Sequence, residues 1–285
     1  MAENLKYLIT GSNGMLGRSW VNLLTKRGIA FDALDRSKLD LSKPDSLAET
    51  IGDDYHTVVN CAAWTAVDAA ETQEEAATVV NAKAVEVIAE HCEAVDTFLI
   101  TYSTDYVFNG QAVTPYRVDH PREPLSAYGR SKAKGEEALL ASGVEHLLIR
   151  TSWVYAPWGK NFVRTIAKAA LTRPELKVVS DQRGRPTSAE HLARTSLALL
   201  EKGASGTFHV TDGGECSWFD FAAEIVRLTG SSSKVNPCTS DEYPTPTKRP
   251  PYSVLDLTET QALLGAMPDW QHNLADVIKR LEPLV

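Results

Sequence analysis

No apolar run in this chain approaches the roughly 18 residues that a membrane-spanning helix needs. The opening segment MAENLKYLIT carries acidic Glu3 and lacks the long apolar stretch of a secretory signal. A cytoplasmic protein with no membrane partner is therefore expected. Cysteine is also scarce. Cys61, Cys92, Cys216 and Cys238 lie far apart, with no CxxC pair and no His at zinc-finger spacing, which points to reduced, mostly buried thiols. The seven histidines form no HExxH or similar pair, so no metal site is expected. Positive charge is in short supply too: 29 Lys and Arg against 37 Asp and Glu leave a net charge of −8. No global field then draws nucleic acid, and any acidic ligand must be held by local cations or backbone N–H groups.

What the chain does have is a hydrophobic fraction of 43% beside a charged fraction of 23%, enough to bury a sizeable core and too ordinary for a disordered or fibrous protein. Its 285 residues, at roughly 150 per domain, suggest two unequal lobes. From Tyr7 to about Thr151, short apolar runs (YLIT, FDAL, TVVN, TFLITYS, HLLIRT) alternate with amphipathic stretches. That alternation predicts βαβ units and an α/β fold built on a doubly wound parallel sheet. Leu16, Trp20, Leu23 and Leu24 line one face of the first helix, which stops at Arg27-Gly28. Further helices are expected near 78–94 and near 128–141, the latter stopped by Gly143.

After about Trp153 the pattern loosens, with helices expected near 162–171, 189–200 and 218–229. Pro237 to Pro251 carries five of the 14 prolines, which excludes a regular helix or an inner strand and predicts an extended loop. No internal repeat or flexible linker is visible. The expected division is a lobe of residues 1–152 and a smaller lobe of residues 153–285 partly interwoven with it.

The first strand runs into Thr10-Gly11-Ser12-Asn13-Gly14-Met15-Leu16-Gly17, which opens the first helix. Glycines there permit a tight turn and close backbone approach to a pyrophosphate, while the helix N-terminus supplies free N–H groups and the positive end of its dipole. The spacing is Gly-x-x-Gly-x-x-Gly rather than Gly-x-Gly-x-x-Gly. Asp35, eighteen residues beyond Gly17, is placed to accept hydrogen bonds from the adenosine ribose hydroxyls, and adjacent Arg36 to pair with a 2′-phosphate. Either NADH or NADPH therefore suits the site. Asp40-Leu41 and Asn60-Cys61-Ala62-Ala63 follow later strands at their carboxyl ends, where such a sheet places its ligand.

Tyr128-Gly-Arg-Ser-Lys132 sets a phenol and an ammonium four residues apart at a helix start, hence on one face. A cation there is expected to lower the phenol's pKa toward that of a working acid/base group. Upstream, Tyr102-Ser103-Thr104-Asp105-Tyr106-Val107-Phe108 ends a strand with a hydroxyl able to address the same reacting oxygen. With the glycine turn, this ordered set resembles the extended short-chain dehydrogenase/reductase superfamily. Within it, TGSNGMLG, NCAAWTAVDAAE, STDYVFNG, YGRSK, RTSWVY, DQRGRPT and YPTPTKRP, in this order across nearly the whole chain, resemble the dTDP-4-dehydrorhamnose reductase family.

The resemblance implies a Rossmann-like lobe with a C-terminal substrate-binding lobe, and reduction of the C4 ketone of dTDP-4-dehydro-L-rhamnose by NADH or NADPH. It implies Thr104, Tyr128 and Lys132 as the catalytic trio. The cofactor contacts expected from the turn and the resemblance together are Gly11, Asn13, Gly14, Met15, Leu16, Gly17, Asp35, Arg36, Asp40, Leu41, Ala62, Ala63, Trp64, Thr65, Tyr128 and Lys132. Thr104, Asp105 and Trp153 are implied for the sugar nucleotide. Some family members are described as Mg²⁺-linked dimers through glutamates; one such position is Ser19 here, although Glu190 sits near another, and a monomer or weak homodimer is expected.

Arg183, Arg185, Lys248 and Arg249 are the basic residues of two loop-like clusters, natural seats for a diphosphate in an acidic protein. Arg249 is the substrate candidate among them. Two other readings are open: a non-catalytic NADP-binding subunit like the β subunit of methionine adenosyltransferase, and another sugar-nucleotide reductase or epimerase.

Overall fold

The computed structural model describes residues 6–284, so Glu3 lies outside the described residues. Strands β1 (Tyr7–Thr10), β2 (Phe31–Leu34), β3 (Thr57–Asn60), β4 (Phe98–Thr104) and β5 (His146–Thr151) alternate with six helices. These are α1 (Met15–Arg27), α2 (Leu47–Ile51), α3 (Val67–Ala70), α4 (Glu74–Thr78), α5 (Ala84–Ala94) and α6 (Ala127–Ser142). Beyond them follow β6 (Val154–Tyr155), α7 (Phe162–Thr172), β7 (Glu175–Val179), β8 (Arg183–Gly184), β9 (Thr187–Ser188), α8 (Ala189–Glu201) and β10 (Gly206–His209). The chain closes with β11 (Cys216–Ser217), α9 (Trp218–Thr229), β12 (Lys234–Cys238), α10 (Thr258–Leu264) and α11 (Trp270–Lys279).

The central sheet has six parallel strands in the order β10-β5-β4-β3-β1-β2. Its apolar runs are buried on both faces with a period of two, as a doubly wound sheet requires. Tyr7, Ile9, Val59, Ile100, Leu147 and Ile149 meet Trp20 and Leu24 of α1 and Leu192 and Leu197 of α8. The intervening Leu8, Val58, Leu99 and Leu148 meet Leu47, Ile51, Ile88, Cys92 and Leu139 on the other side. Each such side chain contributes roughly 1.5–3 kcal/mol. β2 lies on one side of β1 and β3 on the other, so the winding reverses at β1 and a crevice opens at the carboxyl ends there.

Helix ends follow the residues read for them. Gly28 adopts a left-handed φ of 65°, its N–H returning to Leu24 and Thr25, and Ser126 caps α6 through the Gly129 N–H at 3.1 Å. The stretch expected as one helix near 78–94 begins earlier, at Glu74, and passes through a π-helical turn, Val79–Lys83. That wider turn carries Asn81, which is buried and bonded to a loop outside the helix.

The sixth strand, β10, comes from beyond residue 152, and α8, also beyond it, covers α1. A four-residue run between glycine and polar residues gave no strand signal in the sequence. The proline-rich segment begins inside β12, which pairs only with β7, so Pro237 sits on an edge that tolerates its missing N–H. A separate core joins α7, α9 and α11 through Val163, Ile166, Phe221, Ile225, Trp270 and Leu274. Buried Asp212 ties it together, accepting from Tyr155, Ser188, His191 and Asn273 at 3.1, 3.1, 2.7 and 2.8 Å. The four cysteines are free thiols. Among the described residues no helix is long and apolar enough to cross a membrane.

Candidate active site

At the reversal of winding, β1 runs into the glycine turn. Gly11 has a φ of +62°, and a Cβ there would lie 2.8 Å from the Ala62 backbone that follows β3. A Cβ at Gly17 would stand 2.2 Å from the Gly11 carbonyl oxygen, so only glycine lets α1 start flush against the turn. The N-cap residue Gly14 offers no side-chain cap, which leaves the first-turn N–H groups of Met15, Leu16 and Gly17 for an external acceptor. This backbone cradle suits the pyrophosphate of a dinucleotide.

Asp35 follows β2 at the same crevice. Its carboxylate accepts from Asn13 Nδ2 at 2.8 Å and from the Ser37 N–H at 2.9 Å, and the Ser37 bonds hold it below the usual carboxylate range. It is therefore charged and already oriented. Arg36 is 85% exposed and turned toward Asp40 at 3.5 Å, while Asp40 also accepts from Ser42. Leu41 is in the core between Leu39 and Leu47, so only its backbone is free to meet a ligand. Ala62 and Ala63 are half-buried after β3, and Thr65 is exposed. Trp64 and Tyr128 each pack against the buried cluster of Ala70, Ala77 and Ala127, which links the loop after β3 to α6.

Thr104 is the last residue of β4 and Tyr128 lies in the first turn of α6. The Thr104 hydroxyl donates to Asp105 Oδ1 at 3.0 Å and accepts from the Tyr106 N–H at 3.2 Å. Burial pushes the Tyr128 phenol up to about 12, the adjacent Thr104 hydroxyl pulls it down, and the Asp105 charge raises it further. Lys132 donates to the Tyr102 carbonyl at 2.6 Å. Burial drives its ammonium down to about 8 while Glu136 pulls it up. The expectation that Lys132 lowers the Tyr128 pKa is thus corrected: desolvation dominates at both groups. Asp105 is buried, with Oδ2 lacking a hydrogen-bond partner, and burial lifts its carboxyl to about 6.

The proline-rich segment docks here, with Thr247 Oγ1 donating to the Val67 carbonyl at 3.2 Å. Arg249 reaches Asp68 by one contact of 3.3 Å, its Nε buried without a partner. Its positive charge is felt at Tyr106, whose ring packs edge-on against Tyr128 at 5.7 Å. Arg183 is paired with Glu215 at 2.8 Å; Arg185 is half-buried with its Nε unpartnered.

Trp153 adopts a φ of +49° and stacks on Trp218 at 3.6 Å, so one face of its ring is already covered. Its other aromatic neighbour is Phe221, whereas that of Tyr128 is Tyr106. Ser19 donates to the Met15 carbonyl, and Glu190 is held by both Arg280 Nη atoms. No cluster of three or more metal-ligating side chains is found among the described residues.

Asn81 was absent from the residues read off the sequence. It accepts from the Trp64 N–H at 2.9 Å and donates to the Trp64 carbonyl and to Ser131 Oγ, each at 3.0 Å, clamping the loop after β3 onto α6. Its only local signal was an uncharged polar residue between Val79-Val80 and Ala82.

The chain matches the family model described as the RmlD substrate binding domain over residues 5–282. It belongs to that family. Among curated relatives, a protein of Streptomyces antibioticus named as a probable dTDP-4,6-dihydroxy-2-methyloxan-3-one 4-ketoreductase is 39% identical over 95% of this chain and 94% of its own. A crystal structure of a dTDP-4-dehydrorhamnose reductase from Clostridium acetobutylicum is 40% identical with a TM-score of 0.92, covering 96% of this chain and 99% of that one. The Bacillus anthracis reductase, solved in complex with NADP, is 32% identical with the same TM-score of 0.92 and the same coverage of both chains.

Proposed function

We propose that this chain reduces the C4 ketone of dTDP-4-dehydro-L-rhamnose to dTDP-L-rhamnose, the last step of dTDP-rhamnose synthesis. The observation that supports the reading is that the Thr104 hydroxyl at the end of β4 adjoins the Tyr128 phenol of α6, while Lys132, one turn further along α6, reaches the Tyr102 carbonyl of the same strand. Residues 1–152 hold the cofactor in this reading and residues 153–285 mainly the sugar nucleotide. The Gly11–Gly17 turn would hold the pyrophosphate of NADH or NADPH and Asp35 its adenosine ribose, and the bound cofactor would supply the hydride that the ketone carbon takes. Tyr128 donates the proton to the ketone oxygen as charge develops there, and Thr104 hydrogen-bonds the same oxygen. Lys132 would hold the nicotinamide ribose. Asp105 and Trp153 orient the sugar, and Arg249 grips the diphosphate through two N–H groups.

A second reading has specific support, since the Streptomyces antibioticus relative is named for 4-ketoreduction of a different dTDP-sugar. NAD(P)H consumption, followed by absorbance with dTDP-4-dehydrorhamnose made in situ, tests both readings once the sugar product is identified. Formation of dTDP-L-rhamnose supports the first; an inert mixture with intact cofactor binding overturns it and leaves reduction of another dTDP-sugar or a binding-only protein.

Two variants probe the ligand contacts. Arg249→Ala is expected to raise KM for the sugar nucleotide about 10- to 150-fold, the equivalent of a charge-assisted hydrogen bond, with little change in the Kd for NADH. Arg249→Lys should recover only part of that loss. Calorimetric titration with dTDP and with NADH checks this, and unchanged dTDP affinity in Arg249→Ala removes the residue from the site. Asp35→Ala is expected to shift the ratio of kcat/KM toward NADPH, because it removes the charge facing a 2′-phosphate and leaves Arg36 unopposed. Kinetics with both cofactors decide it.

A further inference from the structure

Behind Lys132, away from the substrate side, lies a buried charged group that the mechanism above does not use. Glu136, one helical turn beyond Lys132, is gripped by Arg150 through Nε at 2.9 Å and Nη2 at 2.7 Å, and Arg122 adds a third contact at 3.2 Å. The Glu136 and Arg150 side chains are only 1% and 4% exposed. Lys132, Glu136, Ser103, Asn81 and Thr101 line one cavity of about 10 Å³, the size of a single water. Ser103 Oγ faces Glu136 there without a hydrogen bond of good geometry. Taken with the proposed reduction, on which this inference rests, we propose that Glu136 is a positioning residue: its carboxylate, acting across the cavity, keeps Lys132 protonated in the working range.

The surrounding charges make Glu136 the one that decides. Burial disfavours the Lys132 ammonium, and Glu136 is the one carboxylate found to oppose that loss. Arg150 on β5 pairs with Glu136, and Arg122 on the loop before α6 is shared between Glu136 and the exposed Glu137. His209 on β10 contacts Arg150 at 3.4 Å, and burial together with that guanidinium pushes its pKa down to about 3, so it adds no charge. Asp105 acts on the Tyr128 side. From α4, the π-helical turn and α5, Glu74 holds Arg130 and Glu86 pairs with Lys83, all at partly exposed positions. The sign follows directly: losing the Glu136 charge destabilises the ammonium, so Lys132 gives up its proton at lower pH.

The test is an NMR titration of lysine ¹³Cε resonances, with Lys132 assigned by the Lys132→Met variant, run beside the pH profile of kcat. In the wild type, Lys132 is expected to titrate near pH 8, and kcat to fall above that value. Glu136→Gln should lower both midpoints by about one pH unit or more, whereas Glu136→Asp should keep them close to wild type. Because Glu136→Gln strands the Arg150 guanidinium, Glu136→Gln combined with Arg150→Met supplies the same readout in a chain without that unpaired charge. An unchanged Lys132 midpoint in either Gln variant overturns the inference. The titration needs no substrate, so a failure of the reductase reading would show in the turnover assay alone and leave the NMR result standing.

Discussion

Replacing Tyr128 by Phe is expected to lower kcat by about 100-fold or more while leaving the Kd for NADH nearly unchanged. General-acid assistance contributes about 10²- to 10⁴-fold, and this variant removes only the phenolic O–H. The ring stays packed against Ala70, Ala77 and Ala127 and edge-on to Tyr106, so the neighbouring crevice keeps its shape. Burial pushes the phenol up to about 12, so it stays protonated and able to donate through neutral and mildly alkaline pH. The alkaline fall in wild-type activity should therefore follow Lys132 rather than Tyr128. Single-turnover measurements separate the steps: a loss in the chemical rate with unchanged binding supports the assignment, and wild-type turnover in Tyr128→Phe removes it.

The largest loss of stability is expected from Arg150→Ala, about 3–5 kcal/mol, because it leaves the Glu136 carboxylate buried with only Arg122 for a partner. At roughly 2–4 °C per kcal/mol for a chain of this size, the melting temperature should drop by on the order of 10 °C. Burial alone would push the Glu136 pKa up, yet Arg150, Ser103 and Arg122 together bring it below the usual range. A carboxylate depressed in this way stabilises the fold above its unfolded pKa and loses that contribution as pH falls through the folded one. The gap between wild type and variant should accordingly narrow in acid. Thermal denaturation across pH, with Arg150→Met/Glu136→Met as the apolar replacement of both partners, checks this. The double variant should recover much of the loss; if it is as unstable as Arg150→Ala, packing rather than stranded charge accounts for the effect.

Much of the candidate site was legible because its parts are local in sequence. The glycine turn, Asp35, the Thr104 strand end and the Tyr128–Lys132 pair each announce themselves within a few residues of a strand or helix boundary. What escaped depends on long-range packing. Asn81 acts on Trp64 and Ser131, seventeen and fifty residues away, and nothing near Asn81 in the chain marks those partners. Trp153 was expected as a sugar contact, and no residue near it in the chain shows that Trp218, sixty-five residues on, covers one face of its ring. The influence expected of Lys132 on Tyr128 was argued from spacing alone, and spacing carries no information about desolvation, the larger effect at both groups.

The sequence by itself determined the parallel doubly wound sheet, since strands buried on both faces require continuous apolar runs, and it determined the chemistry available at each strand end. Only the tertiary structure decided which of those ends act together. The crevice forms because β2 and β3 fall on opposite sides of β1, the sheet is completed by β10 from far along the chain, and the proline-rich segment returns to set Arg249 against Asp68. Burial decided the ionisation of Tyr128, Lys132 and Asp105 as well, because the charged form of each depends on how much water the surrounding elements exclude. That exclusion is a property of the packed molecule and is written at no single position of the chain.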